Sequence, residues 1–170
     1  MAAVMTPLPA FNTGDAMGFP VVMKAPFDYG EYIMTLEVNN DDELAIGDLA
    51  NVDGDFKLNV TSAKGLTVFC VILDTIYNKS VLEGHGLTVN KTSQFKSGDK
   101  IDVLPLIPGT VLSLKVIASQ ALVPGSKVVS STVGSVQLYD DTPASIIGMA
   151  ISKLADGNTS TRVGVLIKWI

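Results

Sequence analysis

Charge is scarce in this sequence. Asp, Glu, Lys and Arg make up 17% of its 170 residues, where about 25% is usual for a soluble protein. A surface poor in ions is easier to bury against another protein, because fewer charges must lose their water. That fits a component of an assembly, and it fits equally a surface solvated by Thr, Ser and Asn. The net charge is −5 and the basic residues are isolated. The concentrated positive footprint that displaces counterions from phosphate is therefore missing, and no nucleic-acid partner is expected. No membrane partner is expected either. The longest apolar run, around Val68 to Leu73, falls far short of the ~20 residues of a spanning helix. The N-terminus has no cationic region followed by an apolar core, so a secretory signal is not expected.

Groups that do chemistry are equally few. The chain has one cysteine, Cys70 in the run LTVFCVIL, and one histidine, His85 in EGHGL. A single thiol cannot close an internal disulfide, so Cys70 reads as a small buried hydrophobe. A nucleophilic cysteine needs a histidine or a cationic setting, and the spacing says nothing about whether His85 approaches it. There is no Gly-x-Ser-x-Gly elbow, Gly-rich phosphate loop or His-rich metal spacing. No catalytic, cofactor-binding or metal-ligating residue is assigned; the expectation is a protein that is not an enzyme and takes no cofactor. Asn39 to Glu43 (NNDDE) and Asp53-Gly54-Asp55 carry crowded carboxylates but lack the spaced oxygens and central glycine of an EF-hand loop, so both read as solvated turn acids. The Asn-x-Ser/Thr triplets at Asn59, Asn78, Asn90 and Asn158 matter only in a secretory route.

Helical periodicity is also lacking. No 3.6-residue pattern extends beyond two turns, and the best helix candidate, Ser145 to Leu154, is weakened by Gly148. What the chain does have is strand signal. Glu31 to Val38 reads as a strand. Asp53-Gly54 reads as the turn of a hairpin joining Leu49–Val52 to Phe56–Val60. Leu66 to Leu73 is a continuous apolar run, as in a strand buried on both faces. In Ile101 to Val103 and Leu112 to Val116, apolar and polar residues alternate with period two, which predicts half-buried strands. Pro105 and Pro108 punctuate them and belong at the rim. Pro124-Gly125 precedes a strand at Lys127 to Val129, and Gly134 to Tyr139 is a further strand candidate.

Two regions frame this pattern. Residues 1–30 contain Pro7, Pro9, Pro20 and Pro26 with interspersed glycines, which argues against a regular element. Yet Met5, Leu8, Phe11, Met17 and Phe19 make the segment too apolar for a free linker. An extended arm that lays these side chains on a neighbouring subunit is favoured for Met1 to Gly18, and packing on its own domain for Phe19 to Phe27. Residues 31–170 then form a single β domain. At the other end, Ile146 to Ile167 reads IIGMAISKLADGNTSTRVGVLI, two apolar-rich runs joined by a turn at Asp156-Gly157. Ile147, Met149 and Ile151 are large, whereas Gly148, Ala150 and Ser152 are small, so something should pack closely on the small-residue face. Val163, Val165, Ile167 and Trp169 share one face of the returning strand.

The fold class expected is all-β, a β-barrel or β-sandwich with an extended N-terminal arm and at most one short helix. Gly125, Val128, Gly148, Ala150, Asp156, Gly157, Val163, Val165 and Leu166 together give a turn, a β-run and a terminal hairpin. This C-terminal pattern resembles that of the small capsid decoration (cement) proteins of tailed bacteriophages. The resemblance implies a β domain on the capsid exterior of the virion, made in the bacterial host cytoplasm. It implies a trimer bound to the major capsid protein lattice, resisting internal pressure. Met5, Leu8, Phe11, Met17 and Phe19 would then be the contact residues. The alternative from another class is a carbohydrate- or receptor-binding β-sandwich of a phage or bacterial surface structure. It would call for exposed aromatic platforms, and only 6% of the residues are aromatic.

Overall fold

The computed structural model describes residues 21–26, 28–39, 44–61, 68–73, 95–132, 134–141, 144–154 and 162–168. The described residues form an all-β structure with a five-stranded barrel and a six-stranded sheet. The barrel strands are β2 (Met34–Val38), β3 (Leu49–Val52), β4 (Lys57–Val60), β5 (Cys70–Ile72) and β6 (Lys100–Pro105). They run in the order β2-β4-β3-β5-β6, and antiparallel pairing of β2 with β6, from Met34↔Val103 to Glu37↔Lys100, closes the ring. The sheet strands are β1 (Val22–Lys24), β7 (Val111–Lys115), β8 (Lys127–Ser130), β9 (Val136–Leu138), β10 (Ile146–Ala150) and β11 (Arg162–Ile167). Their order is β1-β7-β11-β10-β8-β9. A single 3₁₀ turn, Tyr29–Tyr32, precedes β2; the Asp28 side chain caps it by accepting from the Gly30 N–H at 3.0 Å.

Alternation along the barrel strands builds two cores from one set of strands. Ala50, Leu58, Cys70, Ile72, Ile101 and Val103 point inward and pack with Val38, Leu44 and Phe95 in the barrel lumen. Leu49, Val71 and Leu104 point outward and meet Leu112, Leu114, Val128, Ile147, Val163 and Val165 of the sheet. The run around Cys70 is apolar at every position for this reason: one face lines the barrel and the other faces the sheet. Burying each such Leu or Val contributes roughly 1.5–3 kcal/mol. Val21 and Val22, within the part of the N-terminal stretch expected to pack on its own domain (Phe19 to Phe27), are buried in the core between barrel and sheet, and β1 pairs with β7.

The hairpin expected over Ile146 to Ile167 forms: within the weak helix candidate Ser145 to Leu154, Ile146–Ala150 is strand β10, paired on both sides by β8 and β11. Three expectations are corrected. The initial residues of Glu31–Val38 form the 3₁₀ turn, so the strand begins at Met34. Strands β6 and β7 are buried almost throughout, not on one face only. Of their buried polar residues, Asp102 accepts from the Thr35 hydroxyl on its pairing partner at 2.7 Å, whereas the Ser113 hydroxyl has no hydrogen-bond partner among the described residues. Lastly, Ile147 and Met149 do not share a face. A bulge between Ile146 and Gly148 sets two steps of β10 against one of β8, which inverts the side-chain parity. Ile147 enters the core, and Met149 turns out to solvent.

Candidate interaction surface

Met5, Leu8, Phe11, Met17 and Phe19 lie outside the described residues, as do His85, Asn78, Asn90, Asn158 and positions 40–43. The described surface has apolar ground of its own, and it centres on the C-terminal hairpin. Strands β10 and β11 pair antiparallel from Gly148↔Ile167 to Ala150↔Val165. Gly148 permits this register, because a Cβ there would run into the Leu166 carbonyl oxygen and come within 3.0 Å of Val165 Cγ1. The small-residue position thus marks a close approach of backbone to backbone.

Two adjoining clefts open beside this pair. One, about 460 Å³, is lined by Gly109, Lys127, Ile146, Met149, Leu166, Ile167 and Lys168. The other, about 610 Å³, takes in Val68, Phe69, Pro105, Leu106, Ala144, Ser145, Ile146, Ile147, Ile167 and Lys168. They share Ile146, Ile167 and Lys168 and so form one apolar trough across the seam of barrel and sheet. Phe69 and Met149 stand 46% and 44% exposed along it, a large apolar exposure for side chains of this size. The charged groups in its lining are the cations Lys127 and Lys168.

A second apolar feature stands at the tip of the β3–β4 hairpin. The turn expected at Asp53-Gly54 forms, but Phe56 belongs to it and not to the strand, which starts at Lys57; the Phe56 N–H donates to the Asp53 carbonyl at 3.1 Å. Asp53 organises the turn. One carboxylate oxygen accepts from the N–H of Asp55 at 3.0 Å and of Lys57 at 2.9 Å. The other accepts from the side-chain amides of Asn39 at 3.1 Å and Asn59 at 3.2 Å. The Lys57 N–H bond is the foremost cause holding the Asp53 carboxyl below its usual range. All of its capacity is spent on the turn, in keeping with a structural acid. The turn places Phe56 at φ 59 with 76% of its surface exposed. Left-handed backbone is costly for a bulky aromatic.

Barrel and sheet are joined by a polar contact on β11. Arg162 donates from Nη2 to the Ile46 carbonyl at 2.8 Å and from Nη1 to the Ser113 carbonyl at 3.0 Å. Its guanidinium occupies the space that a side chain on Gly47 would fill, and Gly47 has φ +85. Beside it, Asp48 is buried and accepts from the Ala45 N–H at 2.9 Å. Burial raises its carboxyl to about 6, against the opposing pull of Lys115, the Ala45 bond and Arg162. Cys70 is fully buried in the barrel, and burial pushes its thiol up to about 12. A thiol held protonated in this way is a packing residue. Among the described residues, no group of three or more His, Cys, Asp or Glu could hold a metal ion. No helix there is long and apolar enough to cross a membrane.

Sequence reasoning missed the trough because its residues come from four separate strands and loops. The bulge that exposes Met149 leaves no mark on the period-two pattern. The exposed Phe56 carried a local signal, since it follows Asp-Gly at a turn where a glycine would sit more easily.

No family model matches the chain, and no curated protein matches it. Among solved structures, the chain is similar to the N base of the head fiber gp8.5 of bacteriophage phi29, with a TM-score of 0.44 and 16% identity. The alignment covers 81% of this chain and 98% of that one.

Proposed function

We propose that this chain is a structural protein of a tailed-phage virion, bound to the outer surface of the assembled capsid and stabilising it. The observation that carries the reading is the open apolar trough beside Met149 and Phe69, on a surface with few charges. Such ground is suited to burial against protein, since little ion desolvation opposes the gain from apolar contact. The C-terminal resemblance to decoration proteins points to the same role. The role is structural rather than catalytic.

Stabilisation follows from mass action. A ligand that binds the assembled lattice and not the free subunits draws the equilibrium away from disassembly. Trimeric copies at three-fold positions would each touch several major-capsid subunits, so modest contacts add through multivalency. In this account Met5, Leu8, Phe11, Met17 and Phe19 reach across to neighbouring subunits, and the β domain remains outside.

Co-sedimentation with empty expanded capsids of the parent phage tests the reading. Saturable pelleting at a fixed ratio to the capsid protein is expected. Failure to bind any capsid lattice overturns it, and strong hits on a glycan array would instead favour the carbohydrate-binding alternative.

A further inference from the structure

We infer that Phe56 is a recognition knob, and that its receptor is the lysine-rimmed apolar trough on a second copy of this chain. The first support is local. Phe56 combines a left-handed φ of 59 with 76% exposure at the end of a hairpin. Neither property helps the isolated fold: the backbone is strained for a bulky side chain, and the ring is left in water. Strain retained at an exposed position motivates a role outside the monomer. The hairpin is also stiff, since Asp53 ties together the N–H groups of Asp55 and Lys57 and the amides of Asn39 and Asn59. A ring held in place loses little freedom on docking, the usual profile of an anchor residue.

The second support is the fit between knob and trough. Phe69, Leu106, Ile146 and Met149 offer an apolar bed in clefts of about 460 and 610 Å³, with an aromatic edge from Phe69 against which a second ring can stack. Exposed acid Asp55 precedes the knob, and exposed cations Lys127 and Lys168 border the bed. Lys57, which follows the knob, is paired with Glu37 at 3.0 Å, so the unneutralised charge beside Phe56 is acidic and faces the cations of the bed, which sets register and suppresses wrong partners. The two features lie at one end of the barrel. Strand β3 pairs with β5 at Leu49↔Val71 and Ala50↔Cys70, so the turn after Val52 lies where Val68 and Phe69 lead into β5. Every copy carries both halves, so the contact is made reciprocally within a pair or repeated around a ring.

Resting on the reading above, this contact gives the trough to a neighbouring copy and leaves the N-terminal arm to hold the capsid. Sedimentation velocity of the full chain across a dilution series reads it without any capsid present. Wild-type protein is expected to self-associate, and Phe56→Gly to weaken association by about 30-fold or more, the loss typical of an anchor aromatic. Glycine accepts the left-handed backbone, so the thermal midpoint of the dissociated Phe56→Gly chain should hold or rise. A merely structural Phe56 would lower it. A second measurement mixes Phe56→Cys and Met149→Cys chains under mild oxidation; a disulfide between copies is expected, with Cys70 buried and inert. A wild-type chain that stays monomeric, a Phe56→Gly chain that associates as wild type, or two folded cysteine variants that never cross-link would each overturn the proposal.

Discussion

Arg162, at the start of β11 in the sheet, donates to the backbone carbonyl of Ile46 in the barrel at 2.8 Å, and a second bond from the same guanidinium reaches Ser113. One side chain therefore fastens the two β units at their seam, over a glycine that leaves room for it. A planar fork with fixed donor directions is suited to this; a lysine ammonium cannot span both carbonyls in the same way.

Arg162→Met should cost about 3 kcal/mol, since charge-assisted bonds to two carbonyls are lost together. Urea denaturation measures it. Arg162→Lys should fall between the variant and wild type. Gly47→Ala should also destabilise, because it forces a side chain into a left-handed position already filled by the guanidinium.

Asp48 makes stability depend on pH. Its carboxyl is raised by burial from 3.8 to about 6 in the folded chain. Between those values the folded state binds a proton that the unfolded state does not. This contribution is fully present below about pH 4 and is lost as pH rises through 6, amounting to about 3 kcal/mol. Asp48→Asn should remove it while keeping an oxygen to accept from Ala45. The difference in unfolding free energy between variant and wild type should therefore move in the variant's favour from pH 4 to 6.5, then level off. A difference that is flat over that range would contradict the buried-carboxyl account.

Gly148→Ala places a methyl group against the Leu166 carbonyl oxygen, part of a paired strand that cannot yield. A loss of about 1–3 kcal/mol is expected, the usual cost of overpacking. Gly54→Ala is the matched control. Nothing lies within 4 Å of its added carbon, and its urea midpoint should be close to wild type.

Deleting residues 1–18 should leave the urea midpoint almost unchanged while weakening attachment to expanded capsids. Replacing Leu8 and Phe11 with serine should do the same to a lesser degree. Co-sedimentation and denaturation together separate the arm's two readings, because an arm that packs on its own domain would lower both.

How much of this was legible depends on how local the cause is. The Asp53-Gly54 hairpin and the face shared by Val163, Val165 and Ile167 follow from turn chemistry and period-two alternation, and both are present. The run around Cys70 correctly foretold a strand covered on both sides. Gly148 showed its purpose as a place of close approach. The β10 bulge was not legible, because it arises from how Ile146 and Gly148 meet a strand some twenty residues earlier in the chain. The same holds for Asp102 and Ser113. Their polarity predicted exposure, while the fold buries them, with Thr35 as the partner for Asp102. The trough was hidden for a related reason, as its walls converge only when barrel and sheet are joined. An Arg162 placed opposite the hydrophobic face of β11 was legible as a polar residue, but not as the tie between two β units.

The most direct measurement of the central claim is a cryo-EM map of the parent particle. The account predicts density for this β domain on the outside of the capsid shell, at three-fold or quasi-three-fold positions, with N-terminal segments reaching neighbouring subunits. A well-ordered map with no such density on the shell, or with this chain located elsewhere in the particle, would contradict it.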